Sequence, residues 1–371
     1  MLKISNWSKV WYKSLWISLI VFALGSAISI SLEELGAFFA MVSFGLLLIT
    51  KREKIKSSII DIPILLIVIG LVLSSLVVSS DKLRSLRGNL NNLWMIPLFY
   101  VIISSLTIKQ YKKILNIILW VSLIAAVYGI WQSLTGNEFV KHHDLIKLGK
   151  LYYATGFWGL HLTYGGFMGM VALVALGLSV DVNITKQKFF YYSAASLTMI
   201  ATFLSFSRSA IVGTLIGLFF FVIVNIKKTY KIFIILLIGL ILLFSFTPSL
   251  RYRMNGVLSP TYLHSIYRYQ IWMTAINMIK NNPILGVGGA SDFSELYKKY
   301  NEPNFDRPAM PHAHNDVLNM YVEVGILAFL GYLSLFVLLI LLGLKIFFRT
   351  KEMFLLGLIS SIIVMSIQGL S

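Results

Sequence analysis

Residues 114–134 read ILNIILWVSLIAAVYGIWQSL, twenty-one positions without a charge, directly after Lys112-Lys113. About 20 predominantly apolar residues are what an α-helix needs to cross a bilayer, whereas a membrane barrel strand would show a short apolar–polar alternation. Comparable apolar runs recur at Ile59–Ser80 and Ile232–Phe246. Over the 371 residues, 57% are hydrophobic and 13% charged, with a mean hydropathy of +0.81. A soluble domain carries roughly 25% charged residues. The fold class expected is all-α: a polytopic helical membrane protein, with residues 1–371 forming a single membrane domain. The first apolar run follows Lys3, Lys9 and Lys13 and ends at Glu33-Glu34 without a small-residue cleavage site. It is expected to be a first span rather than a removed signal peptide. The absence of cysteine excludes a disulfide framework and thiol catalysis.

Eleven spans are predicted, at 13–32, 35–50, 59–80, 93–108, 114–134, 158–180, 189–206, 209–226, 231–247, 315–344 and 353–371. With a cytoplasmic N-terminus, the cytoplasmic segments hold 18 of the 32 basic residues and the short outer loops only seven. Lysine and arginine in short loops set orientation, so the net charge of +17 is mostly a topology signal and not a nucleic-acid footprint. The expected location is the bacterial inner membrane, multi-pass, among membrane lipids. A glycine-rich stretch (Gly156, Gly159, Gly165, Gly166, Gly169) is expected to serve close helix packing.

One segment, 248–314, is far longer than the other loops and lies outside, between the ninth and tenth predicted spans. Connections of that length in a compact protein are usually functional. It interleaves aromatics, among them Tyr267 and Trp272, with cations, among them Arg251, Arg253 and Arg268. Aromatic faces suit sugar C–H faces, although an interfacial belt explains them too; arginine forks suit phosphate oxygens. Residues Tyr262–Lys280 are expected to form a helix on the membrane with Leu263, Ile266 and Ile279 toward lipid. Asn282-Pro283 ends it, and Gly286–Gly289 reads as a flexible turn, without the preceding strand that a dinucleotide fingerprint requires. Asp81, Lys82, Arg84 and Arg87 read as a solvated outer loop.

Two features are sharper. Pro311-His312-Ala313-His314-Asn315-Asp316 stands immediately before an apolar run, and either Asn315 or Asp316 can cap the helix that begins there. A histidine at a helix N-terminus is disfavoured as imidazolium and so stays available to accept a proton. Alternatively, His314 merely satisfies backbone groups at the helix start. Arg208 lies in Ser205-Phe206-Ser207-Arg208-Ser209, and no other charge occurs from Phe189 to Ile226. A cation there is costly without a partner or a wet cavity, which marks it as a functional candidate, unless a short turn simply exposes it to water. His312, His314 and Asp316 alternate as on a strand, but a helix beginning at that point makes them diverge, so no metal site is assigned.

The pair His314-Asn315, nine intervening residues and then Gly325 resembles the signature of the O-antigen ligase and polymerase family; Ala328 departs from it, standing where the family has Gly, Thr or Tyr. Leu318 and Glu323-x-Gly325 also fit, as do Arg268-x3-Trp272-x2-Ala275, Pro283-x2-Gly286-x-Gly288 and Ser207-Arg208-Ser209 opening a span. The resemblance runs from about Leu204 to the end. It implies about 11–12 transmembrane helices and a periplasmic loop containing short helices. It further implies glycan transfer from undecaprenyl diphosphate to an acceptor hydroxyl at the periplasmic face, without nucleotide or other cofactor. By that resemblance His314 is the general base, with Arg208 and Arg268 on the diphosphate. Asn315, His312, Arg251, Arg253, Tyr267 and Trp272 are the expected substrate contacts. The acceptor is lipid A-core for a ligase, the reading the His-Asn-x9-Gly spacing favours, or a growing glycan for a polymerase. A transporter or flippase is the rival class, but no internal repeat or matched pair of broken helices supports it.

Overall fold

The computed structural model describes residues 2–91, 93–248, 251, 263–301 and 310–370. The expectation for Arg253 lies outside the described residues, as do those for the side chains of Leu263 and Ile266. The chain is helical almost throughout: α1 (Leu2–Gly25), α2 (Ile30–Ile49), α3 (Asp61–Val77), α4 (Lys82–Asn91), α5 (Met95–Ser105) and α6 (Ile108–Thr135) come first. A two-stranded hairpin follows, β1 (Lys147–Leu148) paired antiparallel with β2 (Leu151–Tyr152). Then come α7 (His161–Asp181), α8 (Thr185–Leu204), α9 (Arg208–Val224), α10 (Ile226–Phe246), α11 (Leu263–Asn281), α12 (Ala290–Tyr300), α13 (Asp316–Thr350) and α14 (Met353–Gln368).

Among the described residues, α2, α6, α7 and α13 are long and apolar enough to cross a membrane, and α3, α9 and α14 are shorter apolar helices. The protein is therefore an all-α polytopic membrane protein. Where a loop was expected at Asp81–Arg87, α4 forms instead, held in part by an exposed Arg84–Glu295 ion pair at 3.2 Å. Such a pair contributes at most about 1 kcal/mol.

The chain divides into two compact units. The first comprises residues 1–56, 98–257 and 343–368. Within it, small residues let helices approach closely, the usual means of helix association where lipid offers no hydrophobic driving force. A Cβ on Gly36 would strike the Phe22 backbone in α1. Along α7, the glycines behave as the sequence predicts. A Cβ on Gly165 would collide with Ser205 Oγ, one on Gly169 with Thr214 Oγ1, and one on Gly166 with the Gln368 amide. Ala125, Ala126, Ala154, Tyr164, Met168 and Ala201 form the core these approaches create. At the end of α7, the Asp181 carboxylate accepts the N–H groups of Met353 (2.9 Å) and Phe354 (2.7 Å) and so caps α14 from a neighbouring helix.

The second unit comprises residues 57–97, 258–342 and 369–371. Its core joins Ile271, Ala275 and Met278 of α11, Phe293 and Tyr297 of α12, Val287, Ala313, and Val322 of α13. Ile279 packs against this cluster; it was expected to face lipid, and the correction follows from α12, which supplies α11 with a protein neighbour.

Candidate functional site

The second unit builds its site around a break in α13. Gly325 sits at φ 83°, ψ −174°, a non-helical conformation in the middle of an otherwise continuous helix, in a region of backbone space open essentially to glycine. Residues 316–324 thus form a separate half-helix about 13 Å long. The 25 residues beyond it rise about 37 Å, enough to cross a bilayer without the first half. A break frees carbonyls that a membrane interior cannot hydrate. Here Val287 N donates to Val322 O (2.9 Å) and Gly288 N to Glu323 O (3.0 Å), while Ile326 N donates to Ile284 O (3.0 Å). Ser74 Oγ also donates to Glu323 O, at 2.9 Å. Side chains at Gly286 or Gly325 would run into the facing backbone. The glycine cluster expected to be a flexible turn is an irregular segment docked by these bonds, with Gly286, Gly288 and Gly289 at positive φ.

That segment is seated by residues the sequence reading did not single out. The buried Asp292 carboxylate accepts from Ser79 Oγ (2.8 Å) and from Ser80 Oγ (3.2 Å). Ser85 Oγ donates to Gly288 O, and Asn89 Nδ2 to Ser75 Oγ at 2.9 Å. A serine-rich end of α3 and a polar α4 were the available signals, but nothing in one sequence pairs them with Asp292 two hundred residues away.

At the start of the half-helix, the choice of cap resolves to Asn315. Its Oδ1 accepts Leu318 N at 3.0 Å, and its Nδ2 donates to Leu370 O at 3.3 Å. Asp316 N donates to Gly369 O at 2.6 Å. Both ends of the Asn315 amide therefore have intramolecular partners. His314, just before the cap, holds a left-handed backbone at φ 51°, an uncommon conformation for a residue with a Cβ and one that repays a functional explanation. Its backbone N–H donates to His312 Nδ1 at 3.1 Å, so His312 carries its proton on Nε2 when neutral. The two imidazoles lie 4.1 Å apart, tilted by 59°. The spacing from His-Asn to Gly now has a physical meaning: a turn, a cap, two and a half helical turns and a break.

The His314 ring is exposed, yet its basicity is lowered. Partial burial is the largest cause, followed by the charges of His312 and Arg268. Arg268, on α11, is therefore near enough for its guanidinium to act on His314. One turn along α11, Trp272 has its indole Nε1 enclosed without an acceptor, a state that native proteins rarely leave unexplained. Tyr267 is half-buried beside Arg268 in sequence. Among the described residues, no three His, Asp or Glu side chains group as metal ligands.

Arg208 and Arg251 belong to the first unit. Arg208 is the first residue of α9, half-buried, with Ser207 as its cap through an Oγ contact to Ala210 N at 3.4 Å. The turn before it is rigid. Phe206 is fully buried at φ 52° and meets the Tyr153 ring at 5.3 Å, while Ser207 N donates to Ser205 Oγ at 3.2 Å. A guanidinium at a helix N-terminus opposes the helix dipole, and the same location favours an anion. Arg251 is exposed and turns its Nη2 back to Ser245 O at 3.4 Å, the arrangement expected of a cation at a helix C-terminus.

Compared with known sequences, residues 193–333 match the family described as O-antigen ligase. No curated protein matches the chain. The matched span runs from α8 through the broken half of α13 and includes Arg208, Arg268, Trp272, His312, His314, Asn315 and Gly325. Over that span the chain is similar to the O-antigen ligase family.

Proposed function

We propose that this protein transfers a glycan from an undecaprenyl-diphosphate carrier to a sugar hydroxyl of lipid A-core at the periplasmic face of the bacterial inner membrane, with His314 as general base. The family match suggests glycan transfer of the ligase or polymerase type; the donor, acceptor, membrane face and residue roles are our reading. The observation that carries it is a histidine whose basicity is lowered beside an arginine at the start of a half-helix. A general base must be unprotonated when substrate arrives, and a lowered pKa keeps the imidazole neutral at pH 7.

In the step we infer, the acceptor oxygen attacks the anomeric carbon as its proton passes to His314. The bond from that carbon to the diphosphate oxygen breaks, and its electron pair leaves with the diphosphate. Direct displacement inverts the anomeric centre. The glycosyl–diphosphate bond supplies the driving force, so the step is written without a metal or nucleotide. Arg268, near enough to act on His314, would hold the diphosphate, and Arg208 is assigned to an anion from its own turn. Charge developing on a leaving group is stabilised best by groups fixed in advance, and the buried turn that carries Arg208 fits that requirement. Trp272 is assigned as an aromatic contact for the substrate, and His312 orients His314 through the hydrogen bond to its N–H.

Purified protein supplied with lipid-linked glycan and either lipid A-core or a second lipid-linked glycan tests the proposal and separates ligase from polymerase by product. His314→Ala is expected to lose transfer by at least about 100-fold while still inserting and folding; transfer at the normal rate by that variant overturns the reading. Absence of product with every acceptor would favour transport.

A further inference from the structure

The backbone between the two histidines has its own support. Asn319, in the first turns of α13, accepts the Ala313 N–H on its Oδ1 at 2.8 Å, across six residues. Ala313 itself is fully buried, so its amide has no recourse to water. A carboxamide accepts at one end and donates at the other, which turns Asn319 Nδ2 away from Ala313. One helical turn further along stands Glu323, whose carboxyl group has the Asn319 side chain as a neighbour. Residues four apart on a helix are neighbours, so the two meet without distortion.

Glu323 is a costly residue to place there. It lies in a helix apolar enough to cross a membrane, and its Oε1 is enclosed with no partner. An enclosed carboxyl oxygen without a partner is a state that native proteins rarely leave unexplained. Its backbone is pinned as well, because its carbonyl takes both Gly288 N and Ser74 Oγ at the helix break. The acid therefore stands on a backbone held from two sides, and its ionised carboxylate can only accept from the Asn319 amide. A flipped Asn319 would set N–H against N–H at Ala313.

We propose that Glu323 is a positioning residue that acts through Asn319 and Ala313 to fix the spacing and orientation of His312 and His314. The proposal rests on the reading of His314 as the base. The chain of contacts runs from the glycine break to the histidine turn, and it supplies a reason for an acid two residues before Gly325.

Four variants and two readouts test it in the full-length protein, in detergent or vesicles. Glu323→Ala is expected to lower kcat about 10- to 100-fold through misplacement of the base, with the donor KM within about twofold. Glu323→Gln keeps an acceptor for Asn319 Nδ2 and recovers most of the rate. Asn319→Asp, assayed from about pH 7 to about pH 9 or above because two neighbouring carboxyls can share one proton, sets carboxylate against carboxylate at the alkaline end and is expected to fall about 10-fold or more there. The double variant Asn319→Asp/Glu323→Gln reverses the donor and acceptor between the two positions while leaving an oxygen for Ala313, and is expected to restore the rate. Hydrogen exchange in the peptide spanning residues 310–320 should speed up in Glu323→Ala and Asn319→Asp and slow again in the double variant. Glu323→Gln as impaired as Glu323→Ala, or a double variant no better than Asn319→Asp, overturns the proposal. So does exchange unchanged in all of them. Should Glu323→Ala fail to fold, the double-variant comparison still decides. His314→Ala judges the base reading alone, because exchange reports the relay whether or not His314 takes the proton.

Discussion

Two turns in this protein present candidate chemistry at a helix start, and they are held by opposite means. Before α9, Phe206 adopts φ 52° and Ser207 caps the helix; before α13, His314 adopts φ 51° and Asn315 caps it. In the first turn the left-handed residue is fully buried against Tyr153. In the second it is exposed, and hydrogen bonds to its neighbours do the holding. Burial fixes a group that need only bear a constant charge, and arginine never titrates under physiological conditions. A group that must take up and release a proton needs access to water and a tunable environment, which hydrogen bonds and nearby charges provide. The difference between the turns thus matches the difference between holding an anion and moving a proton.

The largest effect expected from breaking this comparison is at Phe206. Phe206→Ala removes a fully buried aromatic and should cost about 3–5 kcal/mol of stability, read as a lowered thermal midpoint. The equivalent change at His314 should leave that midpoint nearly unmoved while activity disappears. Next comes Gly325→Ala. A Cβ at φ 83° is strained and would strike the Ile284 and Leu285 backbone. Strain of this kind costs about 1–3 kcal/mol, and the histidine turn should lose hydrogen-exchange protection with it. The caps give a finer contrast. Asn315→Ala should cost about 1 kcal/mol. Ser207→Ala should cost less, because its capping contact at 3.4 Å is longer than the 3.0 Å of Asn315. Equal losses would mean that the two turns are held alike.

The membrane class was plain from the apolar runs, since a bilayer demands length and hydrophobicity that composition displays directly. The histidine, arginine and glycine positions were legible too, as spacing. What could not be read was why the spacing holds. Gly325 looks like one more small residue in a span until the Ile284–Gly288 segment, about forty positions upstream, is seen to take the carbonyls it frees. The same holds for Asp292 and the serines of α3, whose hydrogen bonds join distant parts of the chain. Short helices were the weakest reading. Residues 82–91 lack a long apolar run, so they resembled a solvated loop. Ile279 was assigned to lipid because the partner helix α12 has its own polar face and gave no sign of covering it.

The smallest expected effect bears on the proton. His314 has its basicity lowered by partial burial first, then by His312 and Arg268. Under the proposed role of His314, transfer requires the neutral imidazole, so kcat/KM should be flat near pH 7 and fall as pH drops through a value below the ordinary 6.5 or so. Arg268→Gln removes one positive neighbour. Protonation of His314 becomes easier, and the acidic limb of the profile should move upward, by less than about one pH unit for a pair separated by solvent. The variant will also be slower if Arg268 holds diphosphate, but the position of the limb is independent of that loss. Arg208→Gln supplies the comparison, since its proposed role is to hold an anion and not to tune His314. Its rate should fall with the limb in place. A limb that moves equally in both variants would mean that the second turn is no more tunable than the first, and the contrast between a fixed charge and a titrating base would collapse.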